Sequence, residues 1–142
     1  MRTSTQLTLA VVGLLLIGAA GTASAQTTLN LIADIPFEFT VGGKTLPAGT
    51  YAVDGRMNPR FLAVRSENSA GAAFFVMTNP AQATAIPEQE KLVFNRYRNR
   101  YFLAQVWTPY STWGYEIPKD RSQRELAQSA GNHERVMILA KR

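Results

Sequence analysis

The chain's 142 residues carry a net charge of +5 at pH 7, with 46% hydrophobic and 18% charged side chains. That length builds one domain and not two, and the lack of any cysteine excludes a disulfide framework, a lipid-modified cysteine, thiol catalysis and cysteine-bound metal. The basic excess is scattered; it fits ordinary solubility charge or, in an exported protein, an anionic envelope polymer ahead of nucleic acid.

The chain opens with Arg2, an uncharged apolar run from Leu7 to Ala20, and Ala23-Ser24-Ala25. A cation, an apolar stretch and a small-x-small site in that order predict a signal peptide over residues 1–25, removed by signal peptidase. The apolar run is shorter than the roughly 20 residues that span a bilayer. The expected mature protein is Gln26 to Arg142, a single β domain, soluble and without a membrane span, in the periplasm or secreted.

From there, strand-like runs alternate with turn signals at short spacing, the pattern of a sandwich or barrel. Phe37-Glu38-Phe39-Thr40-Val41 alternates with period two and ends at Gly42-Gly43. Leu46-Pro47-Ala48-Gly49 predicts a turn in which Gly49 takes a positive φ, after which Tyr51 and Val53 resume the alternation. Asn58-Pro59 marks another turn, Phe61 to Arg65 a strand, Ser66 to Gly71 a polar loop, and the apolar run Ala73 to Thr78 a strand covered on both sides. Asn79 to Pro87, lying between two prolines, reads as an exposed loop.

Leu92 to Thr108 predicts a hairpin with Arg98-Asn99 at its tip, where Asn99 can adopt the left-handed conformation. In a regular hairpin Leu92, Phe94 and Arg96 share a face with Tyr101, Leu103, Gln105 and Trp107, and Val93, Asn95 and Tyr97 share the other with Phe102, Ala104 and Val106. Both sets are mixed, so the core-facing one stays open. Lys119 to Gln128 is the one expected helix, opened by Asp120 or by Ser122 with Glu125 three places on, and stopped at Gly131-Asn132. Val136 to Ala140 is a terminal strand expected to pair with an early strand. The fold class is thus all-β: an antiparallel sandwich or flattened barrel of seven to eight strands, with one short helix before the last strand.

Catalytic and metal signatures are absent from this pattern. His133 is the only histidine, and Asn132-His133-Glu134-Arg135 lacks the second histidine of a metalloprotease helix, since position 137 is Met. No serine stands in a G-x-S-x-G setting, and Gly42-Gly43-Lys44 lacks the rest of a phosphate loop. The expectation is no enzyme, no catalytic or metal-ligating residue and no cofactor. The most suggestive cluster is Arg96, Tyr97, Arg98, Arg100 and Tyr101, where arginine beside aromatic faces suits an anionic ligand or partner. A charged hairpin tip also blunts a sheet edge.

The runs Ile35-Pro36-Phe37-Glu38-Phe39, Gly43-Lys44-Thr45-Leu46-Pro47-Ala48-Gly49-Thr50-Tyr51, Lys91-Leu92-Val93-Phe94 and Arg100-Tyr101-Phe102-Leu103, with Arg124-Glu125-Leu126-Ala127 in the basic helix, carry a resemblance. The chain resembles a family of uncharacterised small exported bacterial β-proteins, present in many copies in soil acidobacteria. The resemblance covers most of the mature chain and implies an envelope location with no assigned activity. Relatives tend to show Gly-Asp at the hairpin tip where this chain has Arg98-Asn99. The expected role is an exported module of the cell envelope, binding or structural, with an anionic envelope polymer or another envelope protein as partner. The alternative is a lipocalin-like carrier of a small apolar ligand, built as a barrel around a cavity. A centre filled by Phe37, Phe39, Phe94 and Leu103 favours the former.

Overall fold

The computed structural model describes residues 29–56, 58, 60–68 and 73–141. The leader with its cleavage site, Pro59 of the second turn and Ser69 to Gly71 of the polar loop lie outside the described residues. Among the described residues, eleven strands and one helix follow in chain order: β1 (Asn30–Ile35), β2 (Phe39–Val41), β3 (Lys44–Leu46), β4 (Gly49–Asp54), β5 (Phe61–Ser66), β6 (Phe74–Met77), β7 (Asn79–Gln82), β8 (Lys91–Tyr97), β9 (Arg100–Trp107), β10 (Trp113–Glu116), α1 (Arg121–Ala130) and β11 (Glu134–Leu139). More strands form than the seven or eight expected, because five of them are only three or four residues long.

Two sheets face each other. Sheet A has the order β1-β4-β5-β6, and sheet B the order β11-β8-β9-β10-β7, with β2 added beside β9 and β3 beside β2. All neighbours are antiparallel except β2 and β9, which run parallel through Phe39 opposite Tyr101 and Thr40 opposite Phe102. The fold is a β-sandwich and not a closed barrel. Alternation places Leu31, Ala33 and Ile35 of β1 inward, where they meet Phe39, Val53, Leu62, Val64, Leu92, Phe94 and Leu103 in one buried core. Of the four residues expected at the centre, Phe39, Phe94 and Leu103 are fully buried and Phe37 is half-buried, with its ring edge-on to Phe94 at 5.2 Å.

A β-bulge overturns the regular face assignment of the hairpin. Phe94 stands opposite Leu103 but Val93 opposite Gln105, which leaves Ala104 as the extra residue. Beyond it the faces exchange: Val106 joins Leu92 in the core, while Gln105 and Trp107 turn outward beside Val93 and Lys91. The Ala104 carbonyl, freed from the ladder, accepts from the amide of Ile117 at 2.8 Å. At the tip it is Arg98 (φ 56°), not Asn99, that takes the left-handed conformation.

Other local expectations shift as well. The positive φ angles fall at Gly42 (56°) and Gly43 (81°) between β2 and β3, whereas Gly49 begins β4 in ordinary extended backbone. The Leu46-to-Tyr51 turn is held by its tyrosine, whose buried hydroxyl donates to the Pro47 carbonyl at 2.7 Å. Asn79 to Gln82 is a strand, because β7 occupies the sheet edge where Pro80 costs no ladder bond. β6 is covered on one side only, with Phe75 and Met77 exposed on the other. The helix starts two residues later than expected, at an Asp120 cap whose Oδ1 accepts from the Gln123 amide at 2.7 Å, and Gly131 (φ 70°) follows its end. β11 pairs with β8 and not with an early strand; just past it the Lys141 amide donates to the Ile32 carbonyl of β1 at 2.7 Å, and its ammonium pairs with Asp34 at 2.6 Å.

Candidate functional site

The arginine-tyrosine tip does not form one surface. Alternation sends Arg96 and Tyr101 to the inner side, where the guanidinium lies 5.5 Å over the Tyr101 ring, and that ring stacks on Phe37 at 3.8 Å. Arg96 also donates to the Arg98 carbonyl at 2.9 Å and pairs with Glu134 at 3.2 Å. Tyr97 points the other way and is 1% exposed, packed on Phe102 and beside His133, which sits in the loop before β11. Arg100 covers the Phe102 ring at 5.2 Å and reaches Ser122 of α1 at 3.4 Å. Arg98 is exposed at the turn itself. Two of the five residues therefore stack on aromatic neighbours at the end of the core, one is interior, and one ties the hairpin to the helix.

The larger concavity lies elsewhere, on the outer face of sheet B. Register sets out this face row by row: Leu139, Lys91, Trp107 and Gly114 lie side by side, then Met137, Val93, Gln105 and Glu116, then Arg135 and Asn95. α1 packs on β8 near the hairpin tip, where Arg100 reaches Ser122, with Gln123 as its buried residue. Residues 83–90 cross the lower end, anchored by the Ala83 amide on the Thr112 carbonyl at 2.7 Å and by the Ala140 amide on the Glu90 carbonyl at 3.0 Å. Residues 82–89 and the outward side chains of β8, β9 and β11 line an open groove of about 1150 Å³. Its floor holds Val93 and Trp107, and its flanks Ile86, Met137 and Leu139.

Trp107 is fixed with care by its surroundings. Its ring lies flat over Gly114, where a Cβ would stand 2.5 Å from Cε3, and its Nε1 donates to Gln105 Oε1 at 3.3 Å. Gln105 in turn donates to Glu116 at 3.3 Å. The indole is 7% exposed, whereas Ile86, Met137 and Leu139 are each more than half exposed. Lys91 and Arg135 bring positive charge to the groove, and neither forms an ion pair among the described residues. On the same face of β8, Asn95 Oδ1 and the Tyr97 hydroxyl are buried without a hydrogen-bond partner among the described residues.

Titration is perturbed away from the groove. Hydrogen bonds from Lys141 and then Thr50 hold the Asp34 carboxyl below its usual value, and Arg56 does the same for Asp54. Burial raises the Tyr51 and Tyr115 hydroxyls. Among the described residues no three metal-ligating side chains come together.

Sequence reasoning missed the groove because a regular hairpin puts Gln105 and Trp107 on the same face as Phe94. The one available signal is in β11, where Arg135, Met137 and Leu139 alternate with Val136 and Ile138, so that both faces are apolar. No protein-family model, no curated protein and no solved structure matches the chain.

Proposed function

We propose that this chain is an exported, soluble binding module of the bacterial cell envelope, and that its ligand lies in the groove on the outer face of sheet B. Export is supported by the sequence pattern from Arg2 to Ala25, a cation, an apolar run and a small-x-small site. The groove carries the binding half of the reading: a concavity of about 1150 Å³ with a tryptophan floor, apolar flanks and a few polar groups has the composition of a small-molecule site. A carrier of the lipocalin kind holds its ligand inside a barrel, whereas here the space between the sheets is filled by the core. That filled core supports placing the ligand on the outside of the sandwich.

The experiment is native mass spectrometry of the protein isolated from its own periplasm, beside the double variant Met137→Glu/Leu139→Glu. Both substitutions fall on exposed side chains and place charge along the groove flank. The parent should carry a noncovalent adduct on the mass of Gln26 to Arg142, and the variant should lack it. An adduct in both, or in neither, rejects the groove as the site.

A further inference from the structure

The geometry points to an anionic amphiphile, a linear apolar chain ending in a carboxylate, as the ligand of this groove; the inference rests on the groove's being the binding site. Two properties of the floor carry it. Val93, Trp107, Met137 and Leu139, with Ile86 opposite, form a continuous apolar track. From Leu139 to Arg135 that track follows β11 for about 13 Å at the rise of an extended strand, which suits a chain lying along the strand and not a compact ring system.

The second property is charge. Lys91, half-buried in the row between Leu139 and Trp107, and Arg135, at the α1 end, line the groove without a carboxylate partner among the described residues. Arg56 pairs with Asp54, Lys141 with Asp34 and Arg96 with Glu134, whereas Lys91 and Arg135 are among the cations that form no ion pair among the described residues. Within the groove Glu88 sits on the loop, and Glu116 of the adjoining row already accepts from Gln105. A site that combines an apolar strip with two cations unpaired among the described residues complements a ligand with one anionic end, because a charge-assisted hydrogen bond is about twice as strong as a neutral one. A neutral apolar chain would leave both cations without compensation as it covered them.

The test uses the only two tryptophans of the chain. Trp113→Phe leaves Trp107 as the sole indole, on the groove floor, and ω-bromoundecanoate quenches an indole by direct contact. Titration should give saturable quenching of Trp107. ω-Bromoundecanol, which lacks the charge, should bind at least about tenfold more weakly, as should the carboxylate when Lys91→Gln and Arg135→Gln are added. Equal binding of acid and alcohol, unaffected by the two substitutions, overturns the anionic assignment while leaving the groove a binding site. No saturable quenching by either compound overturns the amphiphile altogether, and the periplasmic adduct then decides the groove independently.

Discussion

The outer face of sheet A lies open to solvent, whereas that of sheet B is roofed at both ends. On sheet A, Ile32, Phe61, Phe75 and Met77 are exposed, and the charges around them are paired within the chain: Asp34 with Lys141, Asp54 with Arg56, Arg65 with Glu67. On sheet B, α1 packs on β8 and residues 83–90 cross the other end, where an open groove lies along β8, β9 and β11, with Lys91 and Arg135 unpaired among the described residues. The two faces use the same strand period and differ in what crosses them. A concave site arises here from incomplete covering of a flat sheet, and its floor is aimed by the bulge at Ala104, which turns Trp107 outward.

The largest expected effect tests whether that floor is built or incidental. Gly114→Ala would set a methyl 2.5 Å from the Trp107 ring and 2.8 Å from the Val106 carbonyl, and a backbone atom cannot give way as a flexible side-chain end can. Overpacking of this kind costs about 2 to 3 kcal/mol, read as a lower urea midpoint, and should displace Trp107, read as altered near-ultraviolet circular dichroism. Gly49→Ala is the matched control, since its Cβ would meet nothing closer than 3.4 Å and its φ is unexceptional. Equal midpoints for the two variants would mean that the indole has another place to go.

The all-β class was legible in the sequence, because period-two alternation and turn residues are local signals, whereas the choice of sandwich over flattened barrel came from the sheet order. Phe39, Phe94 and Leu103 are core residues in the fold, although alternation alone left the core-facing side of the hairpin open. The groove was not legible, since one extra residue in β9 moves Gln105 and Trp107 to the opposite face and no single residue type marks that bulge. β7 was hidden for a related reason: Pro80 argues against a central strand, and only the sheet order shows that this strand lies at an edge. The arginine-tyrosine run drew attention by composition, yet alternation distributes it over two faces.

A smaller effect separates the faces by pH. The two carboxylates that their partners hold down, Asp34 and Asp54, belong to sheet A, and both titrate below their ordinary value of 3.8 in the folded protein. Ionised in the native state and paired there, they contribute stability in full above that value and lose it as the pH falls through the depressed folded values. Urea midpoints should be level near neutrality and drop in acid, by less than the Gly114→Ala effect because exposed pairs are screened. In Asp34→Asn/Asp54→Asn the acid slope should flatten. An unchanged slope would place the acid-sensitive groups elsewhere.

The smallest effect concerns the roof of sheet B. Tyr97 and Tyr51 are both buried, 1% and 2% exposed, but only the Tyr51 hydroxyl has a partner among the described residues, the Pro47 carbonyl at 2.7 Å. Removing a hydroxyl that donates loses a hydrogen bond, so Tyr51→Phe should cost about 1 kcal/mol. Removing one that is desolvated without return relieves a cost, and the ring's contacts with Phe102 and His133 remain. Tyr97→Phe should therefore leave stability within about 0.5 kcal/mol of the parent or raise it. Hydrogen exchange on α1 gives a second reading, since a helix seated on uncompensated polar atoms opens more readily than the strands below it, and Tyr97→Phe should slow that opening. If Tyr97→Phe instead destabilises as much as Tyr51→Phe, the hydroxyl is engaged in solution, and α1 is as firmly seated on its sheet as the core is between the two.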